Sequence, residues 1–190
     1  MRVDRTVAQA KFARELEILR AHLPTLSARD ICLHQAEFPC VDIVFVSGQP
    51  LRVCGVIRPM DVPMLGQRPF GVRFDMEDFD LTAPSATFRD VRDWKQLPVG
   101  AVKGFHEIAA QPTPVLLHHP ALNRPFLCMQ GIREYHEHPD HTNDDWLSHR
   151  HEGALLRAVE TVWATCVAAV QPIAMIDGTG GLNFDLVARG

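Results

Sequence analysis

Leu117-His118-His119-Pro120-Ala121-Leu122-Asn123-Arg124-Pro125-Phe126-Leu127-Cys128-Met129 sets a His-Pro pair nine residues ahead of a cysteine. A thiol is a useful nucleophile only when it is partly ionised and reachable, and acyl transfer needs donors that stabilise the oxyanion of its intermediate. His119, Asn123 and local backbone amides are the groups in this stretch that can supply them. The other reading of Cys128 is a buried core thiol, the commonest fate of a lone cysteine. With Cys32, Cys40, Cys54 and Cys166 it makes an odd set of five cysteines with no Cys-x-x-Cys spacing. That excludes a disulfide framework and a thiolate zinc site as first readings and leaves free thiols.

On either side of this stretch the chain is patterned for an α+β domain. From Asp4 to Leu23, residues Val7, Phe12, Leu16, Leu19 and Leu23 recur near helical spacing, with Asp4 as N-cap and Pro24 as stop. Ile31–Gln35, Val41–Val46 and Leu51–Ile57 follow as strands, with a Ser47-Gly48-Gln49-Pro50 turn before the third. Phe70, Val72, Phe74 and Met76 alternate with Gly71, Arg73, Asp75 and Glu77, a period of two that predicts a strand with one face open to solvent. These four segments make an antiparallel meander. Leu81–Phe88 is a proline-interrupted extended segment, and the stretch through Pro98, Gly104, Pro112 and Pro114 has no periodicity, as in a long functional loop. A wide-faced apolar helix runs from near Glu152 through Leu155, Val159, Val162 and Cys166 until Pro172.

Composition narrows the function classes. With 190 residues and 46% hydrophobic content the chain supports one sizeable core, so a single domain over 1–190 is expected, with its core at about 4–172 and a flexible tail at 173–190. The net charge of −4, with basic residues scattered, lacks the footprint of a nucleic-acid binder. No signal-peptide pattern and no long apolar run is present, which predicts a cytoplasmic protein with no membrane partner. Trp94, Trp146 and Trp163 read as packing anchors. The Leu186-Val187-Ala188-Arg189-Gly190 end faintly resembles the tail of a ubiquitin-like modifier, but a flexible terminus explains it better.

The order of these features resembles the ubiquitin-conjugating enzyme fold, and most closely the prokaryotic branch of that superfamily, over residues 4 to 172. The elements are an N-terminal helix, a four-stranded antiparallel meander, a long active-site loop holding a His-Pro pair and a cysteine, and a C-terminal crossover helix. The family's strand-to-loop signature of prolines before a β-branched residue and a phenylalanine is echoed by Pro84-Ser85-Ala86-Thr87-Phe88. Its His-Pro-Asn run corresponds to His119-Pro120-Ala121, and its transfer cysteine, followed by an aliphatic residue, to Cys128-Met129. The resemblance implies a transferase that takes a ubiquitin-like protein from an activating enzyme as a thioester on Cys128 and passes it to a protein target. His119 and Asn123 would flank the thioester, the first helix would dock the activating enzyme, and no cofactor would be needed. For the prokaryotic branch it further implies a bacterial anti-phage defence setting. Two departures stand out. Position 121 is alanine where the family has its oxyanion asparagine, and Trp146 lies eighteen residues beyond Cys128 where the family's tryptophan follows closely.

The added length is Tyr135-His136-Glu137-His138-Pro139-Asp140-His141-Thr142-Asn143-Asp144-Asp145, within a region from His118 to His151 crowded with histidines. Imidazoles and carboxylates at short spacing are ligand types that zinc accepts, so a histidine-rich metal-binding protein or hydrolase is an alternative in which His136, His138 and His141 bind metal. A non-catalytic relative that only binds a ubiquitin-like partner is another. In the transferase reading, His136, His138 and Asp140 are candidates for the base that deprotonates an attacking amine, and the sequence leaves open whether His136, His138 and His141 bind metal or act as base.

Overall fold

The computed structural model describes residues 3–46, 52–54, 69–97, 116–119, 122, 124–141, 143–148, 150–164, 170–176 and 182–188. Helix α1 spans Arg5–Ala21, and the Asp4 side chain caps it by accepting the N–H groups of Thr6 (2.9 Å) and Val7 (3.3 Å). Ala8, Phe12, Leu16 and Leu19 form its buried stripe. A short α2, Leu23–Ser27, begins with Pro24 in its first turn, where a missing N–H costs nothing.

Strands β1 (Ile31–Glu37), β2 (Cys40–Phe45), β4 (Phe70–Asp75) and β5 (Ser85–Arg89) form an antiparallel sheet in the order β1-β2-β4-β5. Register places Val41 opposite Phe74, Ile43 opposite Val72 and Phe45 opposite Phe70, and then Phe74 opposite Ala86 and Val72 opposite Phe88. All of these side chains are buried, and they line one face. Against that face lie Phe12, Leu16 and Leu19 of α1 and Leu155, Val159 and Val162 of α4, Ala154–Trp163, giving one continuous core. Glu15 sits within this packing and accepts the N–H groups of Gly153 (2.9 Å) and Leu155 (3.0 Å), so a carboxylate from the first helix caps the start of the last one. Burial raises the Glu15 pKa, and the two N–H donors partly offset that rise.

The four-stranded antiparallel sheet, with a helix before and a helix after it, follows the sequence reading, but the sheet's membership differs. The third predicted strand, within Leu51–Ile57, is β3, Arg52–Cys54, and it pairs parallel with β8, Val170–Ile176, outside the four-stranded sheet. Its place in the sheet is taken by Ser85–Arg89, which periodicity gave only as a proline-interrupted segment. The reason is two-sided burial: Ser85, Ala86, Thr87 and Phe88 are all buried, so no alternation survives to mark the strand. Pro84 stands just before the strand and removes no ladder donor from it.

The face expected to meet solvent is covered at this edge. Trp94 lies over Gly71, where a Cβ would come within 2.8 Å of Trp94 Cζ3, and its ring stacks on His34 at 4.4 Å. Arg73 spans to the buried Asp42 by two 2.7 Å hydrogen bonds on the same face. The C-terminal helix is shorter than its apolar pattern, since Val170–Ile176 is already extended. In place of a flexible tail, β8 pairs antiparallel with β9, Leu182–Ala188. The irregular stretch around Gly104, and Cys166, lie outside the described residues.

Candidate active site

Beyond β5 the chain returns as a hairpin of β6, Leu116–His119, and β7, Arg124–Leu127, in which His119 pairs with Arg124 and Leu116 with Leu127. Cys128 is the first residue after β7 and is half-buried. What fixes the hairpin is a buried polar cluster on the outer face of β5. Glu134, 1% exposed, accepts hydrogen bonds from Ser85 Oγ, from Arg124 Nη2 and from the backbone N–H of Ala86 (3.3 Å), and Arg124 Nη1 also donates to Thr87 Oγ1 (3.2 Å). Glu134 belongs to α3, Arg133–His136, whose first residue is itself pinned: Arg133 N–H donates to Pro84 O (3.0 Å), and its Nε to Ala83 O (3.1 Å). One carboxylate therefore ties β5, the cysteine-bearing strand and α3 together.

The histidine-rich segment folds as α3 followed by two 3-10 turns, Pro139–His141 and Trp146–Ser148, rather than as an open loop. Buried Trp146 anchors the second turn, its Nε1 donating to Asp80 O at 3.1 Å. The first turn brings His141 to the cysteine. His141 Nε2 stands 3.3 Å from Cys128 Sγ, within hydrogen-bonding reach of the thiol. Tyr135 stacks on the His141 ring, with centroids 4.0 Å apart and planes 20° from parallel. The Tyr135 hydroxyl donates to Asp144 Oδ2 at 2.8 Å, and Gln130 Nε2 donates to the same carboxylate.

Three other histidines of the region accept backbone N–H groups. His136 Nε2 accepts the Gly131 N–H (3.2 Å), which leaves the ring proton on Nδ1, where it is donated to Asp144 O at 2.7 Å. His138 Nδ1 accepts the Asp140 N–H (3.2 Å), while its ring stacks on Phe126. His119 is buried and its Nδ1 accepts the Leu122 N–H (3.3 Å), so it braces the turn ahead of the cysteine strand. Burial, and then the neighbouring His138, push the His119 pKa down and keep it neutral. Asn123 lies outside the described residues. Among the described residues, no group of three or more His, Cys, Asp or Glu side chains is arranged to hold a metal ion.

Burial and the charge of Asp140 both raise the Cys128 pKa. The resting thiol is thus protonated at neutral pH, and its reactivity depends on a group that takes the proton during attack. Of the bases considered from sequence, His136 has both ring nitrogens engaged by the backbone, His138 has its Nδ1 so engaged, and Asp140 acts on the thiol through its charge. His141 is the one whose ring nitrogen meets the sulfur. Its signal in the sequence was weak: it stands thirteen residues past Cys128, among several histidines of equal standing. Beside this site an open cleft of about 330 Å³ is lined by residues including Thr82, Ala83, Arg133, His136, Asp144 and Trp146.

A family model described as Y4jH-like, the Y4jH family, matches residues 3–173. Among individual proteins, the chain is similar to the uncharacterized protein y4jH of Sinorhizobium fredii (strain NBRC 101917 / NGR234), at 31% identity over 157 residues, which is 80% of this chain and 77% of the relative. The chain belongs to the Y4jH-like family. The matched region contains the hairpin, Cys128, α3 and His141. No helix among the described residues is long and apolar enough to cross a membrane.

Proposed function

We propose that this Y4jH-like protein is a ubiquitin-conjugating-like transferase in which Cys128 carries the C-terminal acyl group of a ubiquitin-like protein as a thioester. The observation that carries the reading is the 3.3 Å approach of His141 Nε2 to Cys128 Sγ, just past a hairpin whose first strand ends at His119. A core thiol has no need of an imidazole; a nucleophile does. In the loading step the sulfur attacks the activated carbonyl, the new S–C bond forms as the bond to the donor's leaving group breaks, and the thiol proton passes to His141. In discharge an acceptor nucleophile forms its bond to the thioester carbonyl carbon as the S–C bond breaks, and the proton the acceptor loses returns by way of His141 to the departing Cys128 sulfur.

The mixed α+β architecture supports the same reading. A first helix, a four-stranded antiparallel sheet, a hairpin with a buried histidine and a cysteine just past its end, and a late helix on the core face are the features that the reading draws on. Fold order alone never assigns chemistry, so the cysteine's surroundings bear the weight. An activating enzyme, a ubiquitin-like protein and a protein acceptor are the partners this function requires, and an anti-phage defence system is the setting that the resemblance to prokaryotic members suggests. Co-expression with an activating enzyme and a candidate ubiquitin-like protein, followed by intact mass measurement without reductant, tests it. A thiol-labile adduct on the wild type that disappears in Cys128→Ala supports the proposal; an adduct that persists in Cys128→Ala, or none with any candidate, overturns it.

A further inference from the structure

We propose that Tyr135 is the positioning residue of the site: its ring and its Asp144-anchored hydroxyl hold His141 Nε2 on Cys128, so that His141 serves as the general base of the cysteine. This rests on the reading of Cys128 as a nucleophile and names the residues that make it one.

The geometry forms a short relay. Asp144 is fixed from three sides, since its carboxylate accepts from Tyr135 and Gln130 and its carbonyl accepts the Nδ1 proton of His136. Tyr135 rises from α3, which Glu134 and Arg133 fasten to the sheet edge. The phenol ring then covers one face of His141 at 4.0 Å, and the imidazole edge meets the sulfur at 3.3 Å. A 3-10 turn of three residues does not by itself hold a ring in place. The stack on a ring anchored at both ends does. Tyr135 is the one tyrosine in the chain, and phenylalanine would offer the same stacking area without the anchor. The Asp144 bond also pushes the Tyr135 pKa up, so the hydroxyl remains a donor across the working pH range.

The charged and titratable groups around the imidazole come from three elements. Cys128 follows β7; Tyr135 projects from α3; His138, with its ring 5.6 Å away, and Asp140 belong to the same turn region as His141. The His141 ring is the group within reach of the Cys128 proton at 3.3 Å, so Cys128 reactivity below the pH at which the thiol ionises should depend on that imidazole.

The test measures the alkylation rate of Cys128 by iodoacetamide from pH 5 to 10 on the intact protein, read by peptide mass at Cys128, for wild type, His141→Gln, Tyr135→Phe and Tyr135→Ala. Alkylation needs no partner protein, so it separates this proposal from the transferase reading: a failed adduct experiment would leave the alkylation profile unaffected, and the reverse also holds. The wild type should retain alkylation at pH values below those at which its thiol ionises. His141→Gln should lose that reactivity and react roughly tenfold more slowly near pH 7, the change expected from a one-unit difference in effective thiol ionisation. Tyr135→Ala should lose it as well and Tyr135→Phe retain part of it. If Tyr135→Ala keeps the wild-type profile, or if His141→Gln does not alter that profile, the proposal is wrong. Tyr135→Phe and His141→Gln, both near-isosteric, keep the test decisive should Tyr135→Ala fold poorly.

Discussion

Replacing Arg124 by methionine should be among the most destabilising changes near the site. Glu134 is 1% exposed and Arg124 21%, so the substitution strands a carboxylate that cannot reach water. Breaking a buried ion pair by removing one partner costs about 3–5 kcal/mol. Glu134 keeps the Ser85 hydroxyl and the Ala86 N–H, and Arg124 is partly solvated, which favours the low end, near 3 kcal/mol. For a chain of this size each kcal/mol shifts Tm by roughly 2–4 °C, so a drop of about 6–12 °C is expected. The double variant Arg124→Met/Glu134→Leu leaves no stranded charge and should lose less than the sum of its two single changes. Urea unfolding gives the free energies from midpoint shifts at unchanged slope, and the double-mutant cycle gives the coupling. If Arg124→Met costs under about 0.5 kcal/mol and the pair is additive, Glu134 does not tie the cysteine strand to the sheet, and the structural argument for the site fails.

Three further outcomes follow from the packing. Glu15 has a raised pKa, so its folded state binds a proton more tightly than the unfolded chain does; that contribution is fully present below the unfolded glutamate value and is lost as pH rises through the folded one. The Tm of Glu15→Gln relative to wild type should therefore increase from pH 4 to pH 7 by scanning calorimetry, while Glu15→Ala, which orphans the N–H groups of Gly153 and Leu155 at the start of α4, should cost about 1–3 kcal/mol throughout. Gly71→Ala puts a Cβ 2.8 Å from Trp94 Cζ3 and should cost roughly 1–3 kcal/mol, with a change in tryptophan emission as that ring gives way. Asp4→Ala removes two N-cap hydrogen bonds and should cost about 1 kcal/mol in urea unfolding, with no change in slope.

Some of the fold was legible in the residues and some could not be. Helix α1 declared itself because one face is apolar and both ends carry stop signals, Asp4 and Pro24. Strand β4 did so because its partners cover mainly one side, leaving an alternation to read. Ser85–Arg89 hid because the core buries Ala86 and Phe88 while Arg124 and Glu134 cover Thr87 and Ser85, and those partners lie 37 to 49 residues away in sequence. The last helix looked too long because apolar residues continue into β8, and an apolar run buried in a helix and one buried in a strand look alike.

The site divides in the same way. Cys128 and His119 were visible through a local motif, but their roles part company: one meets an imidazole, and the other braces a turn. His141 was indistinguishable by type from His136 and His138. Only the backbone donors that occupy those two rings, and the Tyr135 face that holds the third, separate them. Glu134 gave no signal because charged residues in a short helix are ordinarily solvated, and its burial depends on Arg124 arriving from another strand.

The most direct measurement on the central claim is mapping of the linkage in Cys128→Lys, co-expressed with an activating enzyme and a ubiquitin-like protein. An amine at that position would trap the acyl group as an amide that survives reductant. The expected result is a branched peptide in tandem mass spectrometry joining position 128 to the C-terminal carboxyl of the ubiquitin-like protein, with the wild-type adduct lost on reduction. A branch at another residue, or a wild-type adduct that resists reduction, would contradict the assignment of Cys128 as the acyl carrier.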